Sequence, residues 1–272
     1  MQTPALTDPR ALARNRARAA RAPVTFLHDA ARDDLEDRLA MVNRTFTAPA
    51  VISPRPEVWD GWLPGAQHVA PAEVLPLEPQ AHDLVIHAMD LHWAEDPVGQ
   101  LIQCRRALKP DGLFLAVFFG GRSLQELRAV LARAESEVTG GLSPRVAPMA
   151  EIRDLGALLQ RAGFALPVAD SVTLTVHYPT ALHLMRELRG MGEANALAGR
   201  LRRPTRRAVF LRAADLYAAE APGPQGGIAA TAELVVLTGW APDETQPQPL
   251  RPGSAKQRLA DALGTTETPL GD

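Results

Sequence analysis

The stretch His82-Asp-Leu-Val-Ile-His-Ala-Met-Asp-Leu-His-Trp93 decides how this chain folds. Its first half is apolar without the in-out alternation of a half-exposed strand. It therefore suits a strand in a parallel sheet covered on both faces. A polar and aromatic switch follows, and a helix is expected over 94–108. That helix ends at Leu108-Lys-Pro-Asp-Gly112, a turn, and a second buried strand follows, Leu113-Phe-Leu-Ala-Val-Phe-Phe119, closed by Gly120-Gly121. Strand, helix and strand in this order make a βαβ unit and place the chain in the α/β class.

Towards the C-terminus, Ser123 with Glu126 reads as a capping box opening a helix that carries Leu124, Leu127, Leu131 and Val138. Residues 139–149 read as loop, and 150–162 as a helix closed by Gly163. A strand is expected from Val172 to Tyr178, helices over 180–190 and Arg206 to Glu220, and a last strand from Ala232 to Trp240. From Asp243 onward Pro, Gln, Gly and Thr dominate, which predicts a mobile tail with a short helix at 255–263.

Towards the N-terminus, 49–53 is a short apolar strand. One turn of helix with Trp59 and Trp62 is expected in 56–63, and a second strand in 67–70. Only 35 residues separate Phe46 from His82. A βαβ unit takes ~30 residues, so the interval holds one unit and the first half of the sheet should be reduced. Before it, 8–22 reads as a basic, Ala-rich helix with Asp8 as N-cap and Pro9 at its first position. Residues 29–44 read as an amphipathic helix capped by Asp29. The chain thus divides into an N-terminal helical arm (1–45), an α/β domain (46–242) and a tail (243–272).

At 272 residues with 46% hydrophobic and 22% charged side chains, the chain can bury a sizeable core. The net charge of −2 gives no global field for nucleic acid or acidic membrane. No apolar run reaches the ~18 residues a membrane span needs. The lone Cys104 excludes internal disulfides and suits a small buried hydrophobe. The arginines at 10, 14, 16, 18 and 21 could mimic a transit peptide, but they run straight into the second helix, and a folded arm is expected.

In an open α/β sheet the ligand sits beyond the carboxyl ends of the strands. Met89, Leu91, His92 and Trp93 are therefore candidates for a ligand-binding rim, with Ser53 and Asp60 on the opposite wall. Trp93 and His92 could equally fix the start of the next helix against the sheet. Asp90 and His92 are too sparse a set for a metal site, and none is expected. Gly120 and Gly121 could form a loop over the substrate crevice by adopting positive φ. Arg145, in the long polar loop, could grip a carboxylate. The arginines between Arg200 and Arg212 lack interleaved stacking aromatics, so a protein partner or a solvated helix face is expected rather than nucleic acid. No nucleophile triad, phosphate-binding loop or Gly-x-Gly-x-x-Gly motif is present in the sequence.

The βαβ segment with its Lys-Pro-Asp-Gly turn resembles the middle of a class I S-adenosylmethionine-dependent methyltransferase. A finer resemblance is carried by Asp8-Pro-Arg10, Leu91-His-Trp93 with Asp96-Pro97, Phe118-Phe-Gly-Gly121, and Glu126-Leu-Arg128. Gly140-Gly-Leu-Ser-Pro144, Asp154-Leu-Gly156, Arg161-Ala-Gly-Phe164, Tyr178-Pro179 and Gly190-Met-Gly-Glu-Ala-Asn195 add to it. Over roughly 8–45 and 82–260 the chain is similar to the methyltransferase-like family of respiratory complex I assembly factors. That family includes a mitochondrial arginine hydroxylase and is related to the biotin-pathway carboxylate methyltransferases. The resemblance implies a class I methyltransferase-like (Rossmann-like) fold, S-adenosylmethionine as cofactor, and modification of a protein side chain, with a complex I subunit as the partner. One motif departs. Where the family keeps a Gly-rich turn after the first strand, this chain has Ala50-Val-Ile-Ser-Pro-Arg-Pro-Glu57, and two prolines remove N–H donors. A cofactor-free assembly or binding protein is therefore an alternative, and a small-molecule carboxylate methyltransferase a second. The expected setting is the cytoplasm of a bacterium.

Overall fold

The computed structural model describes residues 5–247, 264 and 265. The chain divides into two compact units, Met1–Pro242 and Asp243–Asp272. In the second, only 243–247, 264 and 265 are described, and the Thr245 N–H and hydroxyl close a small turn on the Asp243 carboxylate. The helix expected at 255–263 and most of the expected tail lie outside the described residues.

The first unit is built on a six-stranded sheet in the order β2-β1-β3-β4-β6-β5. Its strands are β1 (Pro49–Ile52), β2 (Gln67–Val69), β3 (His82–Ala88), β4 (Leu108–Phe119), β5 (Ala165–Tyr178) and β6 (Ile228–Trp240). The pairs β2/β1, β1/β3 and β3/β4 are parallel, while β4/β6 and β5/β6 are antiparallel. This is the mostly parallel α/β sheet with a reduced first half that the sequence predicts. The Lys-Pro-Asp-Gly segment lies within β4 as a bulge rather than between two elements. The register jumps from His82 opposite Leu108 to Leu84 opposite Leu113, and Asp111 takes φ 56° to make room.

Both faces of the sheet are covered, which explains the unbroken apolar runs. Ala50, Ile52, Val85, Phe114 and Ala116 pack on one face with Leu101 and Cys104 of α4 (Pro97–Ala107) and Leu155 and Leu159 of α6 (Ile152–Arg161). Val51, Leu84, Ile86, Leu113 and Leu115 point to the other face. There they meet Leu27, Ala31 and Leu35 of α2 (Phe26–Met41) and Trp59 of the one-turn α3 (Pro56–Trp59). The helices α5 (Gln125–Thr139), α7 (Ala181–Met191) and α8 (Arg207–Glu220) share a third cluster with Tyr178, Ile228 and Ala230. Burial raises the pKa of the Cys104 thiol, so it stays protonated among these side chains.

The first helix, α1 (Pro9–Ala19), starts as predicted: the Asp8 carboxylate accepts the Ala11 N–H at 3.0 Å. Its preceding residues are stitched to the domain. Asp8 N–H donates to the Ala196 carbonyl at 2.7 Å, the Thr7 hydroxyl to Trp93 O at 3.2 Å, and the Leu6 N–H to Glu95 Oε2 at 3.0 Å.

Two predicted helix starts differ. α2 begins at Phe26 after Thr25, and Asp29 sits in its first turn, accepting the Thr25 hydroxyl at 2.9 Å. Ser123 and Glu126 form no capping box. Residue 124, which occupies the cap position of α5, is left-handed at φ 56°, so the serine faces the sheet edge. Ser123 Oγ donates to Glu233 O and accepts the Glu233 N–H, both at 3.0 Å, and Glu126 accepts the Thr231 N–H at 3.2 Å. The strands β4, β5 and β6 also start earlier than their apolar cores suggested. Ladder pairing carries β5 back to Ala165 and β6 back to Ile228, and sets Leu108 of β4 opposite His82.

Candidate functional site

Two recesses open near the carboxyl ends of the parallel strands, and α1 lines both. The first is a cleft of about 470 Å³ against β1 and β2. Its walls include Ser53 and Pro54 after β1, Val69, Ala70 and Pro71 at the end of β2, His68, and Leu12 and Arg16 of α1. This is where a class I methyltransferase fold places its cofactor. The backbone here offers little to a ligand. Between Pro54 and Pro56 only Arg55 keeps an N–H, and that N–H donates to Ser53 Oγ at 3.1 Å. The Ser53 N–H is spent on Val69 O at 3.1 Å. The buried Arg55 side chain is tied to the Gly190 carbonyl at 2.7 Å.

What the cleft offers instead is a cation. Arg16 forms an ion pair with Asp90, which is largely buried at the end of β3. Its Nε–H is also buried and has no acceptor among the described residues. An unmatched buried donor of this kind suits an anionic oxygen. The residues present thus fit the methionyl carboxylate of S-adenosylmethionine, with Arg16 as its donor. Prolines and valines form apolar walls for a purine, and Ser53 and His68 are the polar groups for ribose hydroxyls. The acidic ribose acceptor usual at the end of the second strand is replaced by Ala70.

The second recess is larger, about 600 Å³. Trp93, Phe119, Leu124, Leu127, Met149, Met185 and Leu188 supply its apolar lining, and Asn15 and Arg18 of α1 close one side. The one carboxylate in the lining is Glu193. Gly192 follows α7 at φ 89°, a left-handed conformation that glycine adopts without strain, and its turn closes with Glu193 N–H on Leu188 O at 2.9 Å. The turn returns Glu193 to the sheet. There its Oε2 accepts Trp93 Nε1–H at 2.7 Å and lies 3.1 Å from His92 Nε2. Oε1 accepts no hydrogen bond from any described residue. Burial alone would raise the Glu193 carboxyl. The charges and donors of His92, Arg16 and Trp93 outweigh it and hold the group below its ordinary value. Burial pushes the neighbouring His28 imidazole down to about 4, so it stays neutral.

The predicted site residues scatter. Trp93 lines the large recess and Ser53 the cleft. Met89 and Leu91 are turned into the core on opposite sides of the sheet, and both are almost inaccessible. His92 lies behind Glu193, edge-on to Phe119 with ring centroids 5.1 Å apart. Asp90 and His92 serve different partners, Arg16 and Glu193. Asp60 is exposed on the outer surface, 4.0 Å from His68 Nε2, and does not line the cleft. Gly120 and Gly121 do not take positive φ. Gly120 is required because a Cβ would come within 2.6 Å of Glu233 Oε2 and Val235, so it packs on β6 instead of covering a crevice. Arg145 does grip a carboxylate, but an internal one: it holds Glu135 in two bonds of 2.8 and 2.7 Å and reaches Thr205 at 3.0 Å. Much of the Arg200–Arg212 cluster is also engaged, Arg200 and Arg202 with Asp8 and Arg212 with Glu137. Sequence reasoning missed Glu193, Asn15 and Arg18. Glu193 is the one acid of the Gly190–Asn195 segment and sits directly after a Gly-x-Gly, which marks a turn that could re-aim a side chain.

Comparison with known proteins agrees with the fold. A methyltransferase-domain family model matches residues 54–116. The zebrafish (Danio rerio) protein "Arginine-hydroxylase NDUFAF5, mitochondrial" is 37% identical over 73% of this chain and 62% of its own length. Its Dictyostelium discoideum counterpart is 40% identical over 70% of this chain and 44% of its own. The chain therefore spans about six-tenths or less of these relatives. The solved YcgJ protein of Bacillus subtilis shares the fold with a TM-score of 0.50 at 10% identity, covering 78% of this chain and 99% of that one. The expected bacterial cytoplasmic setting is overturned, because the NDUFAF5 relatives are mitochondrial proteins. By these matches the chain is similar, over about seven-tenths of its length, to the NDUFAF5 proteins, and its residues 54–116 match a methyltransferase domain.

Proposed function

We propose that this protein binds S-adenosylmethionine in the β1/β2 cleft and modifies a protein side chain in the assembly of respiratory complex I. The observation that carries this reading is the pair of recesses divided by α1. One presents an unmatched buried donor, Arg16 Nε, and the other the Glu193 carboxylate, which Trp93 and His92 hold through Oε2. The first suits the carboxylate of the cofactor, and the second suits a donor on the substrate. The relatives' names support a protein arginine as the target.

In this reading the bound cofactor supplies an activated methyl group on its sulfonium. The protein's own residues bind and orient. Arg16, braced by Asp90, fixes the methionyl end, and Ser53 and His68 meet the ribose. Glu193, braced by Trp93 and His92, receives the N–H groups of the target side chain, and Phe119, Leu124 and Leu127 keep water from it. Charge-assisted hydrogen bonds of this kind hold a planar guanidinium in one orientation.

The test is incubation of the purified protein with S-adenosylmethionine and isolated complex I subunits, followed by peptide mass analysis. A subunit peptide that gains a methyl group on one side chain supports the proposal. Unmodified subunits, with cofactor binding demonstrated in the same sample, would leave an assembly factor that binds without reacting.

A further inference from the structure

The charges around the large recess are distributed unequally between its interior and its rim. Inside, Glu193 is held ionised, with Trp93 and His92 on Oε2. At the rim stand Arg18, Arg189 and Arg203, all exposed, and none has an acidic partner among the described residues. Arg18 is steadied by Asn15 Oδ1 at 2.8 Å. Elsewhere on the surface Arg38 pairs with Asp34 and Asp170, and Arg133 with Glu137 and Glu220. Leaving three guanidinium groups unneutralised around one mouth costs mutual repulsion, which an anionic partner relieves.

We infer that the recess receives a protein segment in which a cationic side chain is flanked by carboxylates: the cation reaches Glu193 and the flanking acids meet Arg18, Arg189 and Arg203. The inference rests on the reading of the substrate as a protein side chain and adds the chemistry of its surroundings. An anionic amphiphile satisfies the rim but not the interior. Its apolar tail would seal the Glu193 carboxylate without a donor, a costly arrangement for a buried charge. An isolated cationic side chain satisfies the interior but must pass three like charges at the mouth. Only a segment carrying both signs, the cation central and the acids flanking, matches both. The exposed position of the rim arginines suits recognition of a chain that lies across the mouth.

The experiment is fluorescence anisotropy of the full-length protein with labelled heptapeptides, with and without S-adenosylhomocysteine. The probe has a central arginine with aspartates on both sides. It should bind at least about tenfold more tightly than the same peptide with lysine flanks or with a central glutamine, and weaken as salt rises. The exposed double substitution Arg189→Glu with Arg203→Glu should reverse the flank preference. Glu193→Gln, checked for an unchanged melting temperature, should erase the preference for central arginine and keep that for acidic flanks. Equal binding of all three peptides, no binding of any, or displacement of the probe by low dodecanoate concentrations would overturn the inference. Failure of the underlying function shows itself separately, as absence of cofactor binding or of subunit modification while the peptide preferences persist.

Discussion

The back half of the sheet and its front half solve the same problem differently. At the back, β4, β5 and β6 run for 12, 14 and 13 residues and share long ladders. At the front, β1 and β2 have four and three residues, joined by a connection that includes α3 and three prolines. Ladders and a core covered on both faces hold the back half. The front half shares that core through Ala50, Val51 and Ile52, and is held in addition from outside, by Arg55 on the Gly190 carbonyl and by α1 through Arg16 and Asp90. The lesson is that a reduced half-sheet can keep its cleft if a helix from elsewhere in the chain supplies the missing wall. The same helix then also contributes side chains to the cleft.

The difference predicts where stability resides. Phe114, fully buried in β4 and stacked on Phe164 with centroids 4.8 Å apart, should cost about 4 kcal/mol when cut to alanine. Val69→Ala on β2 should cost about 1.5 kcal/mol. Denaturant midpoints decide this, and equal costs would mean the front strands are as much part of the cooperative core as the back ones. Arg16→Ala leaves Asp90 largely buried without its cation and should cost about 3 kcal/mol. A loss near that of an exposed pair such as Arg133–Glu137 would show that α1 does not brace the front half.

The buried imidazoles give a pH test. His28 is pushed down to about 4 in the folded protein, while the unfolded chain takes up its proton near the ordinary value of 6.5. Folding therefore excludes a proton. The His28 contribution is fully present above pH 6.5 and is lost as pH falls from there towards 4, on the order of 3 kcal/mol in all. His87, lowered by burial in the same direction, adds to the slope. His28→Gln should flatten the acid side of the stability profile without abolishing its slope. Superimposable profiles of variant and parent would contradict the burial of a neutral His28.

The smallest effect sharpens the comparison at the cleft. Ala70 is exposed where the fold usually places its ribose acceptor, so Ala70→Asp should restore one charge-assisted bond. S-adenosylmethionine should then bind about tenfold more tightly. Unchanged affinity, measured by calorimetry on the folded variant, would place the ribose elsewhere.

Much of the back half was legible in the sequence because its signals are local. Continuous apolar runs marked β3 and β4, and helical spacing marked α5, α6 and α8. The shortness of the front half was legible from the residue spacing alone. What failed depended on partners distant in sequence. Ser123 and Glu126 have capping-box spacing, but β6 takes both side chains. Met89 and Leu91 stand at the expected strand end, yet the sheet pleat and a φ of 55° at Met89 turn them inward. Glu193 lies about a hundred residues from Trp93, and only the Gly192 turn brings them together. The part played by α1 was hidden because its buried face is mostly small, Ala11, Asn15 and Ala19 beside Leu12, and gives a weak apolar stripe.

The most direct test of the central claim, that the braced cleft still serves as a cofactor site, is calorimetric titration of the full chain with S-adenosylmethionine and S-adenosylhomocysteine. The geometry predicts one-to-one binding that Arg16→Met abolishes while the variant still unfolds cooperatively. An absence of heat from a cooperatively folding parent protein, at ligand concentrations far above those of the protein, would contradict it.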